Sequence, residues 1–344
     1  MVQRSAKAAT LVRRNRVAVT AVVATYNEEG HITACLQNLL EQRDVPGDIE
    51  ILVIDGMSTD ATPWLVRAMP EYGTRIRLIQ NPRKLQVYAW NTGIREARGE
   101  YFAMIVAHAE YGPRYIASCL ETLSRTGAAA VGGVQRPIGS GALGRAIAWC
   151  MASAFGVGNA SFRYADREIE SDSVFSIFTR VDLLRRMGGY DERIPFDEDS
   201  EMNYRIAAQG GRLVTSPHIN VRYHVRRTLR ALARQMYCYG YWRRFTQLLH
   251  PREVPLRTYA PAALAVSLAT SVALLGTPLR ILGLVVPAVY GAFTLLAAAR
   301  AAKHTGPAAL LVPAVLATMH CAYGAGWIAG VLSLRKRREI AFAT

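Results

Sequence analysis

From residue 17 to about residue 107 the chain alternates short apolar runs with longer stretches of helical spacing. Residues 17–25 (VAVTAVVAT) form a nearly unbroken β-branched and alanine run, and 50–54 (EILVI) form another. Uninterrupted runs of this kind predict strands buried on both faces of a parallel sheet. Between them, Ile32, Cys35, Leu36, Leu39 and Leu40 recur at helical spacing over 31–41. A helix over 61–69, a strand over 76–79, a helix over 86–98 and a strand over 101–107 continue the alternation. Strand and helix in turn predict a doubly wound α/β domain, which binds ligands at the carboxyl ends of its strands. Polar loops stand there: TYNE at 25–28, DGMSTD at 55–60 and AHAE at 107–110. Each alone is ordinary turn composition; three at successive strand ends point to a site.

Beyond residue 258 the pattern changes. Segments 259–275, 279–299 and 308–334 are apolar and near the length needed to span hydrocarbon. Pro261, Gly276, Pro278, Pro287 and Pro313 bound or interrupt them, as membrane helices tolerate. Before them, 226–250 alternates arginines with Leu229, Leu232, Met236, Tyr239, Tyr241, Trp242 and Phe245, which predicts an amphipathic helix lying on a bilayer; a packed surface helix is the alternative. The expected division is a basic arm over 1–16, a catalytic domain over 17–225, an interfacial region over 226–257, membrane segments over 258–334 and a basic tail over 335–344.

Charge sharpens this picture. The formal net charge is +15, and its excess is local: a basic arm over 1–16, eight arginines against Glu253 over 226–257, and RKRR at 335–338. Two of these clusters flank the apolar region, which suits anionic lipid headgroups better than nucleic acid. Three spans would put the RKRR tail opposite the catalytic domain, against the positive-inside tendency, unless one segment is re-entrant. The five cysteines stand far apart without a CxxC, a pattern of free thiols in a reducing compartment.

Against this basic background, FDEDSEMNYR at 196–205 packs four carboxylates into positions 197–201. A solvated acidic turn is one reading. The other starts from a helix over 199–209, stopped by Gly210-Gly211 and preceded by MGGYD at 187–191, a helix end with a glycine cap. The carboxylates then lie in the first turn, where the helix dipole and free N–H groups favour negative charge and orient it into a cleft.

ATYNEE, EILVIDGMSTDAT, NPRKLQVYAWNTGIREARGEY and GGYDERIPFDEDSEMNYRIAAQGG, in this order and spacing over roughly 19–211, resemble a family 2 inverting glycosyltransferase of the GT-A nucleotide-diphospho-sugar transferase (Rossmann-like) fold. AHAEYGPRYI, DEDSEMNYR and MHCAYGAGWIAG further resemble its membrane-bound, succinoglycan-type glucosyltransferase branch. The resemblance implies a fold of a GT-A domain followed by an all-α transmembrane region, held at the cell membrane with the catalytic domain facing the cytoplasm. It implies transfer from a nucleotide-sugar donor to a lipid-linked or glycan acceptor, in exopolysaccharide or cell-envelope glycan synthesis. A polyprenyl-phosphate sugar synthase and a catalytically silent scaffold of a polysaccharide assembly complex are the rival readings.

Such transfer needs a nucleoside clamp, neutralisation of the leaving diphosphate, and a base for the acceptor hydroxyl. The resemblance puts Thr25, Tyr26, Glu28 and Asp55 around the nucleoside; an Asx-turn is the other reading of Asp55, and Asp60 is expected to cap the helix after it. The family's metal-binding acidic motif aligns with Val106-Ala107-His108, so valine stands where the first aspartate is expected. Three accounts follow: His108, with Glu110, ligates a divalent cation, Mn²⁺ over Mg²⁺; arginines or His224 neutralise the diphosphate; or the chain is a weakened relative. Asp199 matches the catalytic base, with its proton affinity expected to be raised by Asp197, Glu198 and Glu201. Glu201 and Arg205 are expected to support the site as an ion pair, and Asp172 to face the acceptor or donor sugar. Glycines over 127–144 suggest a mobile acceptor-side loop or a loosely packed one. The Gln-x-x-Arg-Trp motif of processive relatives is absent near 235–239, which favours one sugar per encounter.

Overall fold

The computed structural model describes residues 17–158, 160–252 and 254–337. The basic arm over 1–16, Glu253 and the tail beyond 337 lie outside the described residues. Contacts divide the chain into two compact units, one of 17–136 with 165–223 and one of 137–164 with the residues from 224 on.

The first unit is built on a nine-stranded sheet of order β3-β2-β1-β4-β8-β6-β9-β5, with β7 paired to β9. Strands β1 (Val17–Thr25), β2 (Asp48–Asp55), β3 (Ile76–Gln80) and β4 (Tyr101–Val106) are parallel. Helices α1 (Ile32–Leu40), α2 (Thr62–Arg67) and α3 (Gln86–Glu96) connect them. Because side chains alternate across a strand, Val19, Ala21 and Val23 of β1 enter the core beneath α1 while Val22 enters the one beneath α3. An unbroken apolar run is what burial on both faces demands.

Beyond β4 the sheet turns antiparallel, through β5 (Ala109–Tyr111), β6 (Ala130–Ile138), β7 (Ile169–Glu170), β8 (Phe175–Arg180) and β9 (Leu213–His224). Helices α4 (Tyr115–Thr126), α7 (Val181–Arg186) and α8 (Glu198–Ala208) belong to this half. Here the expectation of a glycine-rich loop fails: 130–138 is an inner strand, and a Cβ on Gly133 would stand 2.5 Å from the Ile219 carbonyl. Its glycines serve close approach of neighbouring backbones.

The second unit holds α5 (Gly141–Met151), α6 (Ala154–Val157), α9 (Leu229–Leu249), α10 (Ala260–Leu275), α11 (Arg280–Thr305) and α12 (Val312–Arg337). Residues 137–164, expected within the first domain, group with these helices, where Phe155 stacks near Trp149 and Phe293. The amphipathic 226–250 segment forms α9, and protein covers one of its faces. A Cβ on Gly240 would lie 2.0 Å from the Tyr323 carbonyl, Tyr241 bonds Ser333 at 3.1 Å, and Trp327 donates to Gln247 at 2.7 Å. Two stretches, Leu256–Leu275 and Arg280–Ser333, are long and apolar enough to cross a membrane, and the second contains α11, a 3₁₀ segment (Gly306–Leu311) and most of α12. Val272, Ile281, Leu284, Val289 and Leu295 are exposed on them.

Candidate active site

The carboxyl ends of β1 and β2 are laced into one platform. Asn27, held at φ 55°, donates its N–H to Ser58 and accepts from the Thr59 N–H. Glu28 N–H donates to Thr62 Oγ1, Glu29 N–H to Asp60 Oδ2, and Ala61 N–H to Glu29 Oε2 at 3.0 Å. Asp60 also accepts from the Thr62 N–H at 3.0 Å, so it does meet the start of α2. Buried Asp55 accepts from the Ser58 N–H and hydroxyl and from Thr25 Oγ1 at 3.3 Å. The Ser58 N–H lies three residues on, one further than in an Asx-turn, and the Thr25 bond ties two expected clamp residues, Thr25 and Asp55, directly to each other. Tyr26 stands on the platform with its ring half exposed at 49 %.

At the end of β4, the Val106 N–H donates to Tyr111 Oη at 2.8 Å, and the turn presents His108. His108 Nδ1 lies 3.0 Å from Glu28 Oε1, both groups half-buried, with His31 and Tyr223 rings beside the imidazole. The pair leaves one imidazole nitrogen and one carboxylate oxygen as donors. Val106 supplies none. Glu110 pairs with Arg222 of β9 at 3.0 Å. Among the described residues no three His, Cys, Asp or Glu side chains come together to hold a metal ion. The donor set fits a cation only in company with oxygens of a bound diphosphate. His224, the alternative neutralising group, is the last residue of β9.

The acidic island opens α8. Its N-cap, Asp197, has φ 107°, and Glu198, Asp199 and Glu201 occupy the first turn. Asp199 is half-buried, and among the described residues its carboxylate meets the N–H of Ser200 at 2.7 Å and its hydroxyl at 3.4 Å. Glu201 is buried and takes a bidentate bond from Arg205 at 2.7 and 2.8 Å. Arg205 also donates to the carbonyls of Met187 and Gly189, bracing the segment that leads into the helix. Asp172 lies in the run before β8, whose next residues, Ser173 and Val174, accept from Asn203 Nδ2 of α8. Glu198 has a raised proton affinity: burial, then the charge of Asp199, push it up to about 8. It points into the core towards the Trp90 indole. Trp90 and Asn91 of α3 are the contributors that sequence reasoning missed; the motif AWN carries no local sign of partners a hundred residues away.

A parallel half-sheet with laced loops at its strand ends, continued by antiparallel strands and an acidic helix start, is the GT-A arrangement of glycosyltransferases. Residues 20–185 match the family model described as Glycosyl transferase family 2; the chain carries a domain of that family and is a glycosyltransferase. It is 28 % identical over 246 residues to the succinoglycan biosynthesis protein ExoA of Rhizobium meliloti, covering 71 % of this chain and 74 % of that one. It is 29 % identical over 230 residues to a dolichyl N-acetyl-alpha-D-glucosaminyl phosphate 3-beta-D-2,3-diacetamido-2,3-dideoxy-beta-D-glucuronosyltransferase of Methanococcus voltae, covering 64 % and 71 %. Among solved structures it is similar to the mannosyltransferase PcManGT of Pyrobaculum calidifontis, in complex with GDP-Man and Mn²⁺, with TM-score 0.62, 23 % identity and coverage of 92 % and 88 %. At that identity the likeness speaks to the fold.

Proposed function

We propose that this enzyme is an inverting glycosyltransferase that moves a hexosyl group from a nucleoside diphosphate donor onto a lipid-linked sugar at a membrane surface, in the assembly of an extracellular polysaccharide or envelope glycan. The observation that carries the reading is Asp199: a half-buried carboxylate in the first turn of α8, without an arginine or lysine ion pair among the described residues. Such a group is available to take the proton of an acceptor hydroxyl as it attacks the anomeric carbon opposite the diphosphate. Thr25, Tyr26, Glu28 and Asp55 form the nucleoside platform, with the exposed Tyr26 ring as a stacking face for the base. Glu201 and Arg205 hold α8 against the segment 187–189, and Asp172 faces the sugar.

A carboxylate behind an imidazole is the arrangement that orients a metal-ligating histidine, so Glu28 and His108 are the residues that would hold a divalent cation together with the diphosphate. The nitrogen donor favours Mn²⁺ over Mg²⁺. When bound, the cation neutralises charge on the leaving diphosphate. The apolar stretches of the second unit supply the membrane anchor, as expected of a multi-pass protein whose catalytic domain faces the cytoplasm. A lipid-linked sugar is favoured over a bare lipid phosphate because the Methanococcus relative is named for an acceptor that is already a dolichyl-linked sugar.

The test is transfer by detergent-purified protein from a panel of nucleotide sugars to a polyprenyl-linked monosaccharide and to the bare polyprenyl phosphate. Wild-type protein should elongate the first acceptor, lose activity in EDTA and regain it with Mn²⁺. Asp199→Asn should lower turnover by about 10²–10⁴-fold while keeping donor binding. Transfer to the bare phosphate alone would establish the sugar-phosphate synthase instead, no transfer or donor hydrolysis the silent scaffold, and full activity in chelator would remove the cation.

A further inference from the structure

Helix α3 presents two consecutive side chains to the segment that leads into α8. Asn91 Oδ1 accepts from the Tyr190 N–H at 2.7 Å, and its Nδ2 donates to the Tyr190 carbonyl at 2.9 Å and to Glu192 at 3.2 Å. Trp90, fully buried, donates its indole N–H to Glu198 Oε1 at 3.3 Å. The other oxygen of Glu198 accepts the backbone N–H of Asp197 at 3.0 Å. Asp197 sits at φ 107°, a region that residues other than glycine rarely hold without support. It is the residue from which α8 departs, two positions before Asp199.

Glu198 differs from the acids around it. Glu201 has Arg205 and Asp191 has Arg193, whereas among the described residues no arginine or lysine pairs with Glu198. The groups around it are the indole, the Asp197 peptide, the Asp199 carboxylate and the buried Tyr190 hydroxyl, which feels the charges of Glu198, Asp199, Arg205 and Glu201 and has no hydrogen-bond partner among the described residues. A buried carboxyl so placed is held by dipoles, and it is cheaper to keep neutral than to charge beside a second carboxylate.

We propose that Trp90 and Glu198 are positioning residues for transfer: the indole and the Asp197 N–H grip the Glu198 carboxyl, and that grip locks the left-handed turn from which Asp199 is presented to the acceptor. The proposal rests on the reading of Asp199 as the base. While Glu198 keeps its proton, the adjacent pair carries at most one negative charge. Once Glu198 ionises, a buried and a half-buried carboxylate repel each other and the turn loses its alignment. Turnover therefore falls on the alkaline side as Glu198 gives up its proton.

The experiment measures kcat and donor KM from pH 6 to 10 for wild type, W90F, E198Q, E198A and D199N. W90F keeps a ring in the core but removes the donor. Its kcat should fall about tenfold, the worth of one hydrogen bond to a buried group, with donor KM within about twofold. Its alkaline limb should move to higher pH, because the lost N–H favours the ionised carboxyl. E198Q should show no such limb and retain several-fold more kcat than E198A, since its amide oxygen still accepts from one of the two N–H groups. Wild-type kcat in W90F with D199N inactive would overturn this proposal alone, and full turnover in D199N would overturn the base beneath it. Should W90F fail to bind donor, the E198Q and E198A pair decides: equal loss of kcat in both, or an alkaline limb that persists in E198Q, refutes the role.

Discussion

Replacing Glu198 by glutamine should change how the protein's stability depends on pH. Burial first, and the Asp199 charge second, raise this carboxyl from its ordinary 4.5 to about 8. In the folded chain it therefore keeps its proton up to about pH 8, whereas the unfolded chain releases it above 4.5. Its contribution is fully present below 4.5 and is lost as pH rises through that window, by about 1.4 kcal/mol per pH unit. Between pH 5 and pH 8 the wild-type protein should forfeit roughly 4 kcal/mol for this reason. The side chain is almost completely enclosed, so solvent screening does not reduce the figure much. Glutamine cannot ionise. The stability of E198Q relative to wild type should thus climb by the same amount over the same range. For a folding unit of about 150–250 residues each kcal/mol is worth ~2–4 °C, so the difference in melting temperature should change by ~8–16 °C between the two pH values. Thermal melts of both proteins at half-unit steps from pH 5 to 9 measure it. Parallel curves, or a stability of E198Q relative to wild type that falls with rising pH, would refute the claim that Glu198 keeps its proton in the folded chain.

Two further outcomes follow from packing. Glu201→Ala strands the Arg205 guanidinium at a mostly buried site and loosens its grip on the Met187 and Gly189 carbonyls, so it should cost about 3 kcal/mol in denaturant unfolding, and the double variant with Arg205→Met should recover part of that loss. Gly133→Ala drives a Cβ against the Ile219 carbonyl and should destabilise by about 1–3 kcal/mol, with the kcat of the remaining folded enzyme retained, as chemical denaturation and active-site titration will measure.

The parallel half of the sheet was legible because burial on both faces leaves a mark in sequence. VAVTAVVAT and EILVI are strands within two residues of their expected ends, and α1 and α8 fall where apolar spacing and the Gly210-Gly211 stop put them. The antiparallel half was not. Strand β6 carries glycines where its neighbours' backbones crowd it, and β7 is two residues long, so neither shows a period that a local reading can find. The same limit governs 137–164, whose membership of the second unit depends on contacts with helices more than a hundred residues later.

In the proposed site, the positions of the candidate residues were legible: Thr25, Tyr26, Glu28, Asp55, His108 and Asp199 all lie at or near a strand end or a helix start. Their partnerships were not. That Glu28 meets His108, that Glu110 turns to Arg222, and that Trp90 reaches Glu198 are facts of strand order and helix docking. By itself, then, the sequence determined that an acidic helix start and three polar loops belong to one α/β transferase domain, since local patterning and motif order survive without coordinates. Only the tertiary structure decided that Glu198 has a raised proton affinity, because proton affinity follows burial and neighbouring charge, and both are created when distant segments pack together.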